Sequence, residues 1–382
     1  MSRAADADGG AAARLTLVIH AIAPGGAEKV LSIMANHWER SGRRVTVISF
    51  DDGSEPPFYA LEPGVQRVPL GMAGASRGFF DALRNALRRV ARLRAAIRAS
   101  RPDVVVSLLD QVNVTTLLAT RGLGVPVVVC EHTDPNVYDI GAVWSMLRRV
   151  TYRWADLVVV LNRRARDYFG AALQERIRII PNPVQVDPRA APAARDGGRR
   201  RIYAMGRFTA EKRFDLLLRA FARIKDRNPD WDLTIFGDGP LRRDLEILAE
   251  ALGLDGRIDL PGVVADPHPR MRSGDLYVSA SRIEGFPCAL TEAMACGLPV
   301  ISTYYHSGVE DIITDGIDGV LVTSGDEAAL TEAMQQLIDD PARRRRLGEQ
   351  ARRITDRYGT DAIMAMWDDG LVEAGARRPR GG

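Results

Sequence analysis

Glu284 and Glu292 bracket seven residues within "SRIEGFPCALTEAMACGLPVIS", positions 281–302, and a Gly-Phe-Pro turn lies between them. On one continuous helix, eight steps of 100° would leave the two acids about 80° apart. Gly285 and Pro287 interrupt such a helix, so Glu284 is expected in a loop and Glu292 in the second turn of a helix starting near Pro287. The amides of Cys288, Ala289 and Leu290 then form an anion site between the acids. Carboxylates that bond ribose and sugar hydroxyls, beside amides that hold a diphosphate, suit a nucleotide sugar. A single acid at a helix start is often only a cap, but two acids around this turn call for more.

Other residues of the same chemical type follow strands. In "GRFTAEKRFDLLLRAF" (206–221), Gly206 is followed by Arg207, and Lys212 comes five residues later, near the next helix. Arginine can bind phosphate oxygens bidentately, lysine acts as a point charge, and the helix N-terminus adds its dipole. Two solvated surface cations are the plainer reading. In "APGGAEK", Gly25 and Gly26 open a helix and let backbone N–H groups approach a ligand oxygen, although a plain strand-to-helix turn has the same look. The pattern G-x-G-x-x-G is absent there, so Asp51 at the end of the second strand reads as a solvated cap rather than a ribose-binding acid.

Such loops need strands to carry them. Short apolar runs alternate with helical patterns through all 382 residues, which predicts βαβ units and parallel sheets. Strands are expected at 15–20, 44–50, 65–70, 103–109, 125–131, 156–162 and 177–183. A second set is expected at 201–206, 232–237, 257–262, 275–281, 298–303 and 319–324. The fold class is therefore α/β, with two doubly wound Rossmann-like domains, and ligands belong beyond the carboxyl ends of the strands. Residues 1–184 form the first domain, 185–200 ("QVDPRAAPAARDGGRR") a linker able to act as a hinge, and 201–360 the second.

Composition bounds the rest. The chain is 46% apolar and 26% charged, with net charge +3. Residues 1–190 carry +7 and the remainder −4, which points to an anionic partner for the first half. Neither a basic stripe interleaved with aromatics nor zinc-finger spacing is present, so nucleic acid is not expected. An anionic membrane surface is. Residues 84–101 hold seven arginines and no acid. Leu83, Leu87, Val90, Leu93, Ala96 and Ile97 recur at helical spacing behind Phe79 and Phe80. "VWSMLRRVTYRW" mixes apolar and arginine residues in the same way. Such helices can lie on an anionic leaflet, or can turn the apolar stripe to the core and leave the arginines solvated. Cys130, Cys288 and Cys296 form no paired or metal-ligand spacing, so a reducing, cytoplasmic setting is expected. With no apolar run of spanning length and no signal-like start, the protein should be peripheral on the inner face of the plasma membrane.

Six segments resemble the retaining, nucleotide-sugar-dependent glycosyltransferases of family 4, GT-B fold. They are "GGAEKV" (25–30), "IIPNPV" (179–184), "GRFTAEKRFDLLLRAF", "IFGDGPLRRDLE" (235–246), "EGFPCALTEAMACGLPVIST" (284–303) and "DGIDGVLV" (315–322). The resemblance implies two domains facing each other across a cleft, with a C-terminal helix at 361–376 packing back across both. It puts Glu292 on the ribose hydroxyls, Glu284 on the transferred sugar and Arg207 and Lys212 on the diphosphate. Gly25, Gly26, Gly206 and the segment Phe286, Pro287, Cys288, Ala289 and Leu290 join the donor site, and Val263 lies near the base. His132, in "CEHTDP", matches the family's histidine facing the transferred sugar; a satisfied loop histidine would look the same. The implied catalytic set is thus Glu284, His132, Arg207 and Lys212.

No second carboxylate stands out as a nucleophile. The expected route is therefore front-face departure of the diphosphate, stabilised by cations and helix N-termini, with retention. No metal and no cofactor are expected beyond a UDP- or GDP-linked sugar. The implied acceptor is a lipid-linked or oligosaccharide glycan in surface polysaccharide assembly. This sequence departs from the family at position 288, Cys where Asn is frequent, and at 213, Arg where Gly is common. "STYYHSGVEDI" is also bulkier than the usual small polar run. An epimerase of similar fold and a non-catalytic nucleotide-sugar-binding module are the competing readings.

Overall fold

Strands buried on both faces favour near-continuous apolar runs, and the valine-rich segments of this chain supply them. In the computed structural model, which describes residues 13–72, 79–187, 191–193, 198–305 and 308–377, those runs form two wholly parallel sheets. Contacts divide the chain into two units, residues 1–183 with 361–382, and residues 184–360.

The first unit runs β1 (Arg14–Ile19), α1 (Gly26–Arg40), β2 (Arg44–Ser49), β3 (Gln66–Pro69), α2 (Phe79–Ser100), β4 (Val104–Leu108), α3 (Asp110–Thr120), β5 (Val127–Glu131), α4 (Ala142–Thr151), β6 (Leu157–Val160), α5 (Arg163–Tyr168), α6 (Ala171–Gln174) and β7 (Ile177–Ile179). The second runs β8 (Arg200–Met205), α7 (Phe214–Ile224), β9 (Trp231–Phe236), α8 (Arg242–Ala251), β10 (Ile258–Asp259), α9 (His268–Arg272), β11 (Leu276–Ser279), α10 (Cys288–Ala295), β12 (Val300–Tyr304), β13 (Val320–Thr323), α11 (Glu327–Asp339), α12 (Pro341–Ala351) and α13 (Ile354–Tyr358). The last helix, α14 (Thr360–Arg377), belongs from Asp361 onward to the first unit. Each strand expected from the sequence has its counterpart.

Strand order is β3-β2-β1-β4-β5-β6-β7 in one sheet and β10-β9-β8-β11-β12-β13 in the other. Both are doubly wound, so each reverses direction once, between β1 and β4 and between β8 and β11. Helices cover both faces. In the second unit Ile202 and Ala204 join a core with α7, α8 and α11, while Tyr203 and Tyr277 face the other way, toward α9 and α10. The period of two along each strand sets that division. In the first unit Trp38 of α1 meets Trp367 of α14 edge-on, and its Nε1 donates to Asp368 at 2.8 Å.

The chain crosses between units at Pro183–Val184 and again at Thr360–Asp361. These two crossings lie side by side, since the Val184 amide donates to the Tyr358 carbonyl at 2.7 Å. The segment 185–200, read from its composition as a linker, falls within the second unit, where the Ala193 amide donates to the Pro269 carbonyl at 2.8 Å.

Helix α2 turns its apolar stripe inward. Leu93 and Ile97 are buried, whereas Leu87 is 63% exposed. Arg94 donates to the Ala119 and Arg121 carbonyls at the end of α3, and Arg92 and Arg89 to those of Leu70 and Met72. These arginines serve the unit's own carbonyls. The Phe79, Phe80 and Leu83 side chains lie outside the described residues. Helix α4 is different: Trp144 and Leu147 pack inward, while Val143, Met146 and Val150 face solvent at 66, 59 and 49% exposure. Among the described residues no helix is long and apolar enough to cross a membrane.

Candidate active site

The reversal between β8 and β11 separates the loops that follow those strands and so opens a crevice at their carboxyl ends. Gly206 ends β8. A Cβ there would come within 3.0 Å of the Lys212 stem, and a Cβ on Gly237 would lie 1.9 Å from the Gly206 carbonyl oxygen. Only glycines let "GRF" nest against "GDGP", with the Phe208 amide donating to the Asp238 carbonyl at 2.8 Å. A single 3-10 turn, Ala210–Lys212, then brings Lys212 back over Gly206. Arg207 beside it is exposed.

The loop after β11 meets that turn. The Arg282 amide donates to the Glu211 carbonyl at 2.7 Å. Lys212 Nζ lies 2.5 Å from Glu284 Oε1, and Ser281 Oγ donates to the same oxygen at 2.6 Å. A cation and a carboxylate from opposite sides of the reversal are thus paired, with side chains only 21 and 12% exposed. Both would face a ligand in the crevice.

Helix α10 begins at Cys288, after Pro287, and Glu292 lies in its second turn. The three amides expected to be free are not equivalent. The Cys288 amide donates to the Phe286 carbonyl at 2.9 Å, closing the turn on itself. This corrects the expectation for Cys288, because a tight turn ahead of the helix consumes that donor. The amides of Ala289 and Leu290 have no backbone acceptor among the described residues, as the start of a helix requires. Phe286 packs edge-on against Tyr358 with centroids 5.6 Å apart, which holds the turn in place.

Glu292 is nearly buried, and its Oε2 lies 3.0 Å from Nε2 of His268, whose Nδ1 is 3.1 Å from Asp266 Oδ1. Beneath the acids are two buried phenols. Burial, with the charges of Glu284 and Glu292 nearby, raises the Tyr277 hydroxyl. Burial and Glu284 raise that of Tyr305, whose Oη has no hydrogen-bond partner among the described residues. Val263, in the loop after β10, is 45% exposed. His306 and Ser307, in the bulky segment after β12, lie outside the described residues.

Gly25, Gly26 and His132 lie in the first unit. Gly25 precedes α1, and Glu28 folds back so that its Oε2 would be 2.1 Å from a Cβ at Gly25. The helix start therefore has an internal carboxylate beside it. His132 follows β5 and is held neutral, since burial lowers its pKa to about 4. Its Nε2 has no partner among the described residues. Leu109, at the end of β4, has φ 79° and ψ 142°, a strained conformation for a side-chain-bearing residue at the reversal of this sheet.

Next to His132 is a buried network that no motif announced. The Tyr152 hydroxyl donates to Glu131 Oε1, Arg148 Nη1 is 3.6 Å away, and Asn113 Nδ2 donates to Tyr152 Oη at 2.9 Å. Burial outweighs the neighbouring guanidinium and raises the Glu131 pKa to about 7. Its members come from β5, α3, α4 and the turn after α4, so sequence spacing could not pair them. Among the described residues no group of three or more His, Cys, Asp or Glu is placed to hold a metal ion.

Comparison with known proteins identifies this arrangement. Residues 25–183 match the family described as "Glycosyl transferase 4-like domain", and residues 189–354 match "Glycosyl transferases group 1". A Campylobacter jejuni protein, GalNAc-alpha-(1->4)-GalNAc-alpha-(1->3)-diNAcBac-PP-undecaprenol alpha-1,4-N-acetyl-D-galactosaminyltransferase, is 27% identical over 93% of this chain and 97% of its own. The alpha-D-kanosaminyltransferase of Streptomyces kanamyceticus is 31% identical over 61% of this chain and 67% of its own. Anabaena HepE, solved in complex with UDP and glucose, superposes with a TM-score of 0.76 at 19% identity, covering 94% of this chain and 99% of that one.

Proposed function

Because this chain belongs to the glycosyltransferases of GT-B fold, we propose that it is a retaining, family 4 enzyme that transfers a hexosyl group from a nucleotide-diphosphate sugar to a lipid-linked glycan. The observation that carries the reading is the Lys212–Glu284 pair at the reversal between β8 and β11, with Glu292 in the second turn of α10. Lys212 and exposed Arg207 take the diphosphate, together with the Ala289 and Leu290 amides at the start of α10. Glu292 accepts from the ribose hydroxyls. Glu284, released by Lys212, accepts from the transferred sugar.

The bond from the anomeric carbon to the diphosphate oxygen breaks, and the acceptor oxygen bonds to the same face of that carbon. The acceptor's proton passes to the departing phosphate oxygen. Charge grows on the diphosphate as the bond lengthens, so cations and helix amides fixed in advance lower the barrier. Neither a metal nor another cofactor enters this scheme.

UDP is the first nucleotide to test, because HepE was solved with it, and GDP the second. The Campylobacter relative's name specifies an undecaprenol-linked acceptor, which supports a lipid-linked glycan in polysaccharide assembly here. A lipid acceptor would place the enzyme on the inner leaflet, and α4, with its exposed apolar stripe beside Arg149 and Arg153, is the surface suited to it. The test is a panel of nucleotide sugars, read first by thermal shift and then by transfer to undecaprenyl-diphosphate sugars, with the product's anomeric configuration assigned by NMR. A product of inverted configuration would sink the retaining mechanism. Interconversion of the donor without any acceptor would favour an epimerase.

A further inference from the structure

We propose that His268 is a positioning residue for Glu292, holding the ribose-binding carboxylate in its productive rotamer; the proposal rests on the nucleotide-sugar reading above. The two side chains come from separate elements, His268 opening α9 and Glu292 in the second turn of α10. His268 Nε2 lies 3.0 Å from Glu292 Oε2. On its other side Nδ1 lies 3.1 Å from Asp266 Oδ1, and the same oxygen accepts from the His268 amide at 3.2 Å. Asp266 thus meets the ring at Nδ1 and the backbone amide of the same residue, and the ring in turn meets Glu292.

The anchorage of α9 makes this chain of contacts rigid. Met271 is fully buried, Arg270 stacks over the Phe236 ring at 5.9 Å, and the Ser273 hydroxyl closes the helix on the Arg270 carbonyl. A glutamate has three rotatable side-chain bonds, and ordering them on binding ribose costs affinity unless the protein has already done so. Asp266 is mostly exposed while His268 and Glu292 are not, so the anchoring end of the relay lies outside and the working end within.

The test compares His268→Ala, His268→Gln and Asp266→Asn for binding of UDP and GDP by calorimetry and for donor KM and kcat. Gln places an amide nitrogen near the position of Nε2. His268→Ala should weaken nucleotide binding and raise donor KM by about tenfold, the loss of one charge-assisted hydrogen bond. Its kcat should change much less. His268→Gln should recover most of that loss, and Asp266→Asn, at an exposed position that does not threaten the fold, should show a smaller rise in KM. Equal defects in the Ala and Gln variants, or unchanged nucleotide affinity in His268→Ala, overturn the proposal and leave the nucleotide-sugar reading standing. If the wild-type protein binds neither nucleotide, the reading and the proposal fall together.

Discussion

Removing either end of the Lys212–Glu284 pair should separate binding from chemistry. At an effective dielectric of about 20, unit charges 2.5 Å apart attract by roughly 6–7 kcal/mol, and desolvation of both groups cancels most of it. Because the side chains keep 21 and 12% of their exposure, a net contribution of about 1–2 kcal/mol to stability is expected. Lys212→Ala leaves Glu284 with the Ser281 hydroxyl, so the fold should survive. The departing diphosphate, however, loses a cation worth about 1.5–3 kcal/mol, or roughly 10–100-fold in kcat/KM. Glu284→Gln should act differently. It frees Lys212 for phosphate, so UDP should bind as tightly as before or more tightly, while transfer falls by at least about tenfold. Calorimetry with UDP and initial-rate kinetics on both variants and the double variant give the full cycle. Wild-type kcat/KM in Lys212→Ala, or UDP affinity lost equally in both single variants, would refute the assignment.

Three further outcomes follow from the first unit and from one strained residue. Glu131 titrates near pH 7 rather than 4.5, so below about 4.5 its contribution to stability is fully present, and it is lost as pH rises through 7. His132, lowered to about 4 from 6.5, contributes in the opposite sense: its share is present above 6.5 and lost as pH falls through 4. Urea unfolding between pH 4 and 8 should therefore show a flatter high-pH limb in Glu131→Gln, and an unchanged slope there would contradict the network. Arg213 has φ 49°, a left-handed conformation that costs a residue with a Cβ about 1 kcal/mol, so Arg213→Gly should raise the melting temperature despite losing the exposed Asp215 contact. Val143→Glu with Met146→Glu should abolish sedimentation with anionic liposomes and leave the melting temperature unaltered, because both side chains face solvent. Binding that persists would remove α4 as the membrane contact.

The fold was legible because parallel sheets write themselves as apolar runs. From "LTLVIH" to "GVLVTS" each run became a strand, since strands covered on both faces read as near-continuous apolar runs, with a few buried polar residues such as Glu131 among them. The cation and the acid at the reversal were legible for a related reason, as loops after β8 and β11 must meet there. Composition misled where packing decides. "QVDPRAAPAARDGG" has the makeup of a linker, yet its described residues belong to the second unit, and the crossings fall at Pro183–Val184 and Thr360–Asp361. The arginines of α2 suggested a leaflet, but several cap carbonyls of their own unit.

His268 marks the limit of reading by motif. Its neighbours in "ADPHPRMR" give no chemical signal, and twenty-three residues separate it from Glu292. What joins the two is the route of the chain: β10 ends, α9 turns beneath the crevice, and β11 brings the chain back, so α9 and α10 pack on the same face of the sheet. Arg213 shows the complementary case. There a residue with a Cβ sits in the left-handed turn that glycine would favour, and that turn carries Lys212 to Glu284. The geometry of the site is thus retained at the expense of local strain, as expected where a side chain's position matters more than the stability of the turn that carries it.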